Sequence, residues 1–258
     1  MAIGRGGNLK ISVITVAYNS AAHIADCVQS VGGQTHPDME HIVIDGGSHD
    51  ATCALVRQYG SRVTALLSEP DRGIYDAMNK GVALATGDIV AFLNSDDTYA
   101  SDTVLAQVAQ AMVNEPELDA VLGDVLFFDA KRASHPLRRY RSRRFSPKSL
   151  GWGWMPAHPA MCVARSLFER AGGFKIDYRI AGDYEWVARA FGPGDLRYRH
   201  LNQVLVHMQT GGVSTGGWRN TLLLNQEVLR ACRENGIASN WLKLLSKYPA
   251  KLAEFIWH

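Results

Sequence analysis

Two adjacent aspartates, Asp96 and Asp97, follow the apolar run at residues 89–93 of this 258-residue chain after Asn94 and Ser95. Neighbouring carboxylates repel each other, so the pair favours a compensating cation. Carboxylate oxygens in a loop with room for water suit Mg²⁺ or Mn²⁺ that bridges to substrate phosphates. The alternative interpretation is that Asp97 only caps a helix beginning near Ser101 or belongs to a turn.

A second acidic group, Gly182-Asp183-Tyr184-Glu185-Trp186, places two carboxylates at the start of a predicted helix. Asp183 in that position could take a proton from a hydroxyl group as a general base. The alternative is that both acids only complement the positive end of the helix dipole.

The turn Asp45-Gly46-Gly47-Ser48 combines a hydrogen-bond acceptor with a flexible backbone and a helix start. Its aspartate could accept from a base or a ribose, and the helix N-terminus that follows favours anions. A plain strand-to-helix turn would look the same. His158, in a loop rich in Trp and Pro, and His207, before a Gly-rich segment, are candidates to contact substrate or metal.

The elements that must position these residues alternate between strand and helix. β-branched apolar runs predict strands at residues 11–17, 41–44, 63–67, 89–93 and 120–122, and three- and four-residue spacings predict helices at 20–31, 49–59, 74–85 and 103–113. This alternation is typical of βαβ units and a parallel sheet, in which ligands bind at the carboxyl ends of the strands. The sequence therefore predicts that Tyr18, Asn19, Asp45, Asp71 and Asp96 meet at one edge.

The second half of the chain is less regular. It predicts a binding loop at 151–159, short helices at 167–171 and 184–191, a strand at 205–207 and two helices from Trp218 onward. Residues 131–148 hold eight of the 27 Lys and Arg residues, which favours an anionic partner such as phosphate or a lipid headgroup. The basic amphipathic stretch at 241–257 could lie on a membrane surface or pack on the domain.

Composition excludes several classes of protein. With 47% hydrophobic residues, 20% charged residues and a net charge of +2, neither global disorder nor nucleic-acid binding is expected. No apolar stretch reaches the roughly 20 residues of a transmembrane helix, and residues 1–8 do not resemble a signal peptide. The four scattered cysteines are typical of reduced thiols in a cytosolic protein.

An ordered series of motifs resembles the family 2 glycosyltransferases. The motifs are ISVITVAYN at 11–19, VIDGGS at 43–48, EPDRG at 69–73, AMNKG at 77–81, GD at 87–88, FLNSDD at 92–97, HP at 158–159, GGF at 172–174, GDYE at 182–185 and GGVS at 211–214. The resemblance implies a GT-A fold, that is, an α/β fold with a mostly parallel sheet flanked by helices and a C-terminal helical extension. The implied organisation is a flexible N-terminus at 1–8, a catalytic domain at 9–216, divided into a donor half at 9–124 and an acceptor half at 125–216, and C-terminal helices at 217–258.

The resemblance also implies an inverting, metal-dependent transfer of a sugar from a nucleotide-sugar donor. Asp183 matches the catalytic base, the segment 211–214 matches a mobile loop over the donor, and Mn²⁺ or Mg²⁺ is the expected cofactor. The predicted donor contacts are Ala17, Tyr18, Asn19, Asp45, Asp71, Arg72, Asn79 and Asp96. The predicted acceptor contacts are Trp154, His158 and Glu185, and the predicted metal contacts are Asp97, Asp96 and His207.

Two positions depart from the family pattern. Gly46 stands where a second aspartate, able to contact uracil, is commoner, and Gly182 stands where a glutamate usually precedes the catalytic aspartate. The alternatives to an active transferase are a catalytically inactive nucleotide-sugar-binding relative and a sugar nucleotidyltransferase. A dehydrogenase is excluded because the first strand is not followed by GxGxxG.

The expected partners are a nucleotide-sugar and a saccharide acceptor, either free or carried on a polyprenyl diphosphate, as in polysaccharide biosynthesis. With a lipid-linked acceptor, the basic run and the C-terminal helices predict contact with an anionic membrane surface. The expected location is the cytoplasm, where the protein is either free or peripheral on the inner face of the cell membrane. No nucleic-acid partner is predicted.

Overall fold

A computed structural model describes residues 9–129, 132–210 and 217–246. Nine strands form one sheet in the order β3-β2-β1-β4-β8-β6-β9-β5, and β7 pairs with β6 at the side of this path. The strands are β1 (Ile11–Ala17), β2 (Met39–Asp45), β3 (Val63–Ser68), β4 (Ile89–Phe92), β5 (Thr98–Tyr99), β6 (Ala120–Asp129), β7 (Arg132–Tyr140), β8 (Met161–Ala164) and β9 (Tyr198–Gln209). The α-helices are α1 (Ile24–Gly32), α2 (Thr52–Tyr59), α3 (Ile74–Leu84), α4 (Val104–Asn114), α5 (Arg165–Ala171), α6 (Gly182–Phe191) and α7 (Trp218–Glu234).

The first half forms the parallel part of the sheet, as the sequence predicts. β1 pairs in parallel with β2 and β4, and β2 pairs in parallel with β3. Every residue of β1 is buried, because helices cover both faces of such a sheet and make its strands continuously apolar. The carboxyl ends of β1, β2 and β4 consequently lie at one edge.

The second half adds antiparallel pairs that the sequence did not predict. β8 lies between β4 and β6 and pairs antiparallel with both, whereas β6 and β9 run parallel. β9 spans 12 residues, whereas the sequence predicted a strand of three. The prediction was too short because most residues of β9 are only half-buried and give no continuous apolar signal. Short 3₁₀ turns lie at Ser142–Arg144, Pro147–Trp152 and His158–Ala160, and residues 154–157 of the predicted binding loop have no regular secondary structure.

The C-terminal helix α7 packs on the core of the sheet domain. Val228, Ala231 and Cys232 on α7 and Leu244 on the helical stretch at 241–246 are buried in the same cluster as Trp186 of α6. Their neighbours on the chain, including Trp218, Leu222, Trp241, Leu242 and Leu245, are exposed. The division of the chain at residue 216 stays a prediction. In the part of the chain that the structure describes, no helix combines the length and hydrophobicity needed to cross a bilayer.

Candidate active site

Hydrogen bonds join the loops that follow β1, β2 and β4. The Asn19 amide donates to Ser48 Oγ (2.7 Å), and the His49 amide donates to Asn19 Oδ1 (3.0 Å). Ser20 Oγ lies 2.8 Å from Ser95 Oγ. Asn19 adopts a positive φ of 48°, a conformation that asparagine tolerates better than most residues. Ala17, Tyr18 and Asn19 therefore line the same edge as the turns after β2 and β4, as predicted.

Asp97 is the most unusual carboxylate at this edge. Its side chain has no exposed surface, its Oδ2 accepts from Asn94 (2.9 Å), and its Oδ1 is buried without a hydrogen-bond partner. Burial, followed by repulsion from Asp96, raises the pKa of Asp97 well above its ordinary value. A buried acceptor without a donor costs free energy, so it is a place where a cation or ligand donor would bind.

The fit of a divalent metal depends on this same oxygen. Within residues 9–129, 132–210 and 217–246, no three His, Cys, Asp or Glu side chains converge on a point that could hold a metal ion. The unpartnered Asp97 Oδ1 beside Asp96 nevertheless fits a metal that takes its remaining ligands from water and substrate phosphates, as Mg²⁺ commonly does. His207 lies opposite Thr98 in the β5–β9 pair, where burial lowers its pKa and its ring packs on Phe128.

Asp45 is held by its own turn. It is fully buried, and it accepts from the backbone of Gly47 and Ser48 and from the hydroxyls of Ser48 and Ser68. Burial alone would raise the pKa of Asp45, but the hydrogen bonds from Ser48 and Ser68 outweigh it and lower the pKa. Asp45 thus shapes the turn that the donor would contact, and direct contact with a donor stays a prediction.

Gly46 lies against Asp71 from the loop after β3. A Cβ added to Gly46 would lie 2.5 Å from Asp71 Oδ2 and 3.4 Å from the Tyr18 ring. That first distance is close to the separation of Cβ and carboxylate oxygen within an aspartate side chain. Asp71 Cγ lies 3.3 Å from the same Cβ position, so the Asp71 carboxylate reaches this space with one oxygen and lies beside the place that a side chain on residue 46 would fill. Arg72 beside it is exposed and pairs with Asp76.

Asp183 lies in the first turn of α6, beside a tyrosine that the sequence analysis did not single out. Asp183 Oδ1 accepts from the Tyr184 amide (2.8 Å) and lies 3.3 Å from the Tyr75 hydroxyl. A Cβ on Gly182 would come within 2.7 Å of the Tyr75 ring. Tyr75 therefore fills the space beside Gly182, where the family pattern has glutamate. The glycine before Asp183 was the signal that a neighbouring side chain approaches closely.

His158 is buried against the end of β4. It stacks on Phe92 at the end of β4, with ring centroids 5.1 Å apart, and its Nε2 has no hydrogen-bond partner. Burial lowers the pKa of His158, and the charge of Asp183 opposes this. Trp154 is half-buried against Tyr140. The acceptor-contact predictions for His158 and Trp154 stay open.

Two predicted contact residues have other roles in the structure. The Asn79 amide bonds both backbone groups of Phe174 (2.8 Å each), so it fixes the 172–174 turn, and its contact with a donor stays a prediction. Glu185 has no exposed surface and pairs with Lys175 and Arg189. These ion pairs give Glu185 a structural role within the buried part of α6, and its contact with an acceptor stays a prediction. The predicted donor-covering loop at 211–214 lies outside the described residues.

Comparison with known sequences gives a consistent result. Residues 12–171 match the model of the family described as Glycosyl transferase family 2. An uncharacterized glycosyltransferase of Mycobacterium tuberculosis is 34% identical over 185 residues, which cover 70% of this chain and 68% of that protein. A PGL/p-HBAD biosynthesis glycosyltransferase of Mycobacterium bovis is 32% identical over 211 residues, 79% of this chain and 78% of that protein.

Solved structures share the fold. Staphylococcus aureus TarS 1–349 in complex with UDP-GlcNAc superposes with a TM-score of 0.67 at 18% identity, covering 86% of this chain and 66% of that fragment, just under two thirds. The mannosyltransferase PcManGT from Pyrobaculum calidifontis, in complex with GDP-Man and Mn²⁺, gives a TM-score of 0.61 at 19% identity over 96% of this chain and 81% of that protein. The fold is that of the GT-A glycosyltransferases, as the motifs predicted. On the match over residues 12–171 and these relatives, the chain is a member of glycosyltransferase family 2.

Proposed function

We propose that the chain is an inverting glycosyltransferase of polysaccharide biosynthesis that moves a sugar from a nucleotide-diphosphate sugar to a hydroxyl of a saccharide acceptor. The observation that carries the proposal is the buried, unpartnered oxygen of Asp97 at the edge where β1, β2 and β4 end. A turn built on Asp45 and an exposed aromatic side chain, Tyr18, flank this edge. The proposal predicts release of a nucleoside diphosphate from a nucleotide-sugar, and a chain that binds no such donor would contradict it.

The chemistry is a single displacement at the anomeric carbon. An acceptor hydroxyl is a poor nucleophile at neutral pH, so Asp183 takes its proton as the oxygen attacks. The new bond joins the acceptor oxygen to the anomeric carbon, and the bond from that carbon to the diphosphate oxygen breaks. The nucleoside diphosphate leaves with the electron pair, and the anomeric configuration inverts.

Asp97, with Asp96 beside it, would hold the divalent cation. Mn²⁺ or Mg²⁺ bound there would stabilise the negative charge of the departing diphosphate. The complex of PcManGT with Mn²⁺ is a precedent for a metal in this fold. Asp97 itself contributes a pre-formed, buried oxygen whose charge is costly in the absence of a cation.

The donor base is proposed to lie between Tyr18 and Asp71. One oxygen of the Asp71 carboxylate reaches the space that a side chain on residue 46 would fill, so Asp71 can accept the ring N–H of uracil, thymine or guanine. Cytosine lacks that N–H and would not be favoured. UDP-GlcNAc and GDP-Man, the donors in the complexes of TarS and PcManGT, both carry bases of the favoured kind.

Gly46→Asp should weaken nucleotide binding by about tenfold or more, because burying a second, like-charged carboxylate against Asp71 costs roughly 1.4 kcal/mol or more. The measurement is calorimetric titration with UDP, GDP and dTDP. The double variant Gly46→Asp/Asp71→Ser moves the carboxylate to position 46 and should recover most of the affinity. Unchanged binding by Gly46→Asp would place the base elsewhere.

The acceptor is proposed to be lipid-linked and reached at an anionic membrane surface. Trp152, Leu242 and Leu245 are exposed, and Lys243 Nζ lies 5.6 Å from the Trp152 ring, so the helical stretch at 241–246 and the Pro147–Trp152 turn form one surface. Exposed cations precede it, at Arg141, Arg143, Arg144 and Lys148. Arg139, from the same basic run, is instead paired with the buried Asp124. Exposed aromatic and cationic groups together favour an anionic lipid headgroup region.

Replacing Arg143 and Lys148 by glutamate should remove most binding to phosphatidylglycerol-containing vesicles at low salt, because each cation near an anionic surface contributes about 1 kcal/mol. Vesicle co-sedimentation measures the bound fraction, with Arg57→Glu on α2 as a charge-matched control outside this surface. Neutral phosphatidylcholine vesicles should bind little of either protein. Failure of the wild-type chain to bind anionic vesicles would overturn the membrane proposal.

A further inference from the structure

The three residues before the Gly182-Asp183 pair present consecutive backbone N–H groups to one side chain. The Arg179 amide donates to Glu227 Oε1 (2.8 Å), and the Ile180 and Ala181 amides donate to Glu227 Oε2 (2.9 and 2.8 Å). Glu227 lies on α7, outside the region that matches the family model. A side chain 46 to 48 residues further along the chain thus holds the segment 179–181.

The same segment is held from its other side by α3. The Tyr75 hydroxyl donates to Ile180 O (2.7 Å), and the Tyr75 ring lies against Gly182. Two helices that are distant in the sequence, α3 and α7, therefore hold the residues that lead into α6. Because α6 begins at Gly182, the position of this segment decides where the Asp183 carboxylate stands.

Docking of α7 does not by itself require a buried glutamate such as Glu227. Its side chain is 8% exposed, and among the described residues no lysine or arginine lies within ion-pair distance of it. A buried carboxylate without a cation costs several kcal/mol unless hydrogen-bond donors compensate. Three backbone N–H groups compensate the Glu227 carboxylate here, and hydrogen bonds from such groups stabilise a carboxylate strongly. The apolar face of α7, with Val228, Ala231 and Cys232, already buries the helix.

We infer that Glu227 is a positioning residue for Asp183. It fixes the backbone of 179–181 so that the Asp183 carboxylate meets the acceptor hydroxyl in the geometry that proton transfer requires. This inference rests on the proposed function, in which Asp183 is the base. Small displacements of a reacting group lower rates by large factors, so a residue that acts only through the backbone has a large expected effect on turnover.

Glu227→Gln removes the charge at nearly constant shape. One of the two carboxylate oxygens becomes an NH₂ group, which cannot accept, so at least one of the three N–H groups loses its partner. Glu234→Gln is the matched control on the same helix. Glu234 bonds Lys175 and Tyr178 of the preceding turn and ties α7 to the same region without bonding the 179–181 amides.

Two readouts are needed. Hydrogen exchange followed by mass spectrometry should show amides 179–181 exchanging about tenfold or more faster in Glu227→Gln and unchanged in Glu234→Gln. Nucleoside diphosphate release from a nucleotide-sugar, with water as acceptor, should fall about 10- to 100-fold in Glu227→Gln with unchanged donor affinity. In an Asp183→Asn background the same change should lower release by less than about twofold, because both act through one group.

Unchanged exchange at 179–181 in Glu227→Gln would overturn the inference. Turnover equal to that of the wild type in Glu227→Gln, despite faster exchange, would also overturn it. An equal loss of turnover from Glu227→Gln in the Asp183→Asn background would indicate a purely structural role and would overturn it as well. If the wild-type chain releases no nucleoside diphosphate from any donor, the proposed function fails, and the positioning of a base fails with it. The exchange data then still decide whether Glu227 holds the segment.

Discussion

Asp183→Asn is expected to lower the rate constant of nucleoside diphosphate release by about 10²- to 10⁴-fold while donor affinity stays within about twofold. Asparagine keeps an oxygen that can accept from the Tyr184 amide and the Tyr75 hydroxyl, as Asp183 Oδ1 does. The fold around α6 is therefore retained. What the variant loses is the ability to take a proton from the attacking hydroxyl.

The measurement separates binding from chemistry. Calorimetry gives the donor dissociation constant and steady-state kinetics gives the rate, each for the wild type, for Asp183→Asn and for a control, Asp177→Asn. Asp177 is an exposed residue of the turn before α6 and pairs with Arg230, so its replacement should leave the rate nearly unchanged. A rate in Asp183→Asn within about twofold of the wild type would show that another group takes the proton.

Asp97→Asn is expected to abolish metal-dependent turnover and, at the same time, to stabilise the protein. Asp97 is fully buried, its Oδ1 lacks a partner, and Asp96 repels it. Asparagine removes the charge and can still accept from Asn94. We expect the free energy of unfolding without ligands to rise by about 1–3 kcal/mol near pH 8, or roughly 2–4 °C in Tm for each kcal/mol. A substitution that stabilises the protein while it abolishes function is typical of binding residues.

The pH dependence of that gain follows from the direction of the pKa shift. The folded-state pKa of Asp97 is raised, so the folded protein binds a proton more tightly than the unfolded chain does. The wild type therefore loses stability as pH rises above about 3.9, the ordinary aspartate value, toward the folded pKa. The gain in unfolding free energy of Asp97→Asn over the wild type should be small near pH 4 and largest at alkaline pH. Urea unfolding across this pH range measures the difference in unfolding free energy between Asp97→Asn and the wild type, with exposed Asp102→Asn as the control. A stability gain that shrinks with rising pH would contradict the prediction.

The parallel half of the fold could be predicted because local sequence determines it. β1 is apolar at five of its seven positions and buried at all seven, and the apolar residues of α1 recur at helical spacing. Strands of this kind, separated by helices, permit few topologies. The edge that carries Asn19, Asp45 and Asp97 followed from that topology together with the position of each residue at a strand end.

The second half depends on contacts between distant segments. β8 has only four residues and is a strand because β4 and β6 flank it, which no local pattern reveals. Tyr75 and Glu227 act on Asp183 through packing and backbone hydrogen bonds, so their residue types gave no chemical signal. The ion pairs of Glu185 with Lys175 and Arg189 could not be predicted for the same reason, since they depend on how α6 is buried.

The most direct test of the account is nucleoside diphosphate release from a panel of UDP-, GDP- and dTDP-sugars, with Mn²⁺ or Mg²⁺ and with EDTA, by the wild type, Asp97→Ala and Asp183→Asn. A metal-dependent transferase should release nucleoside diphosphate slowly from one donor in the presence of metal. That release should be lost in both variants, with donor binding retained in Asp183→Asn. Absence of both binding and release across the panel, or equal release by wild type and Asp183→Asn, would contradict the account.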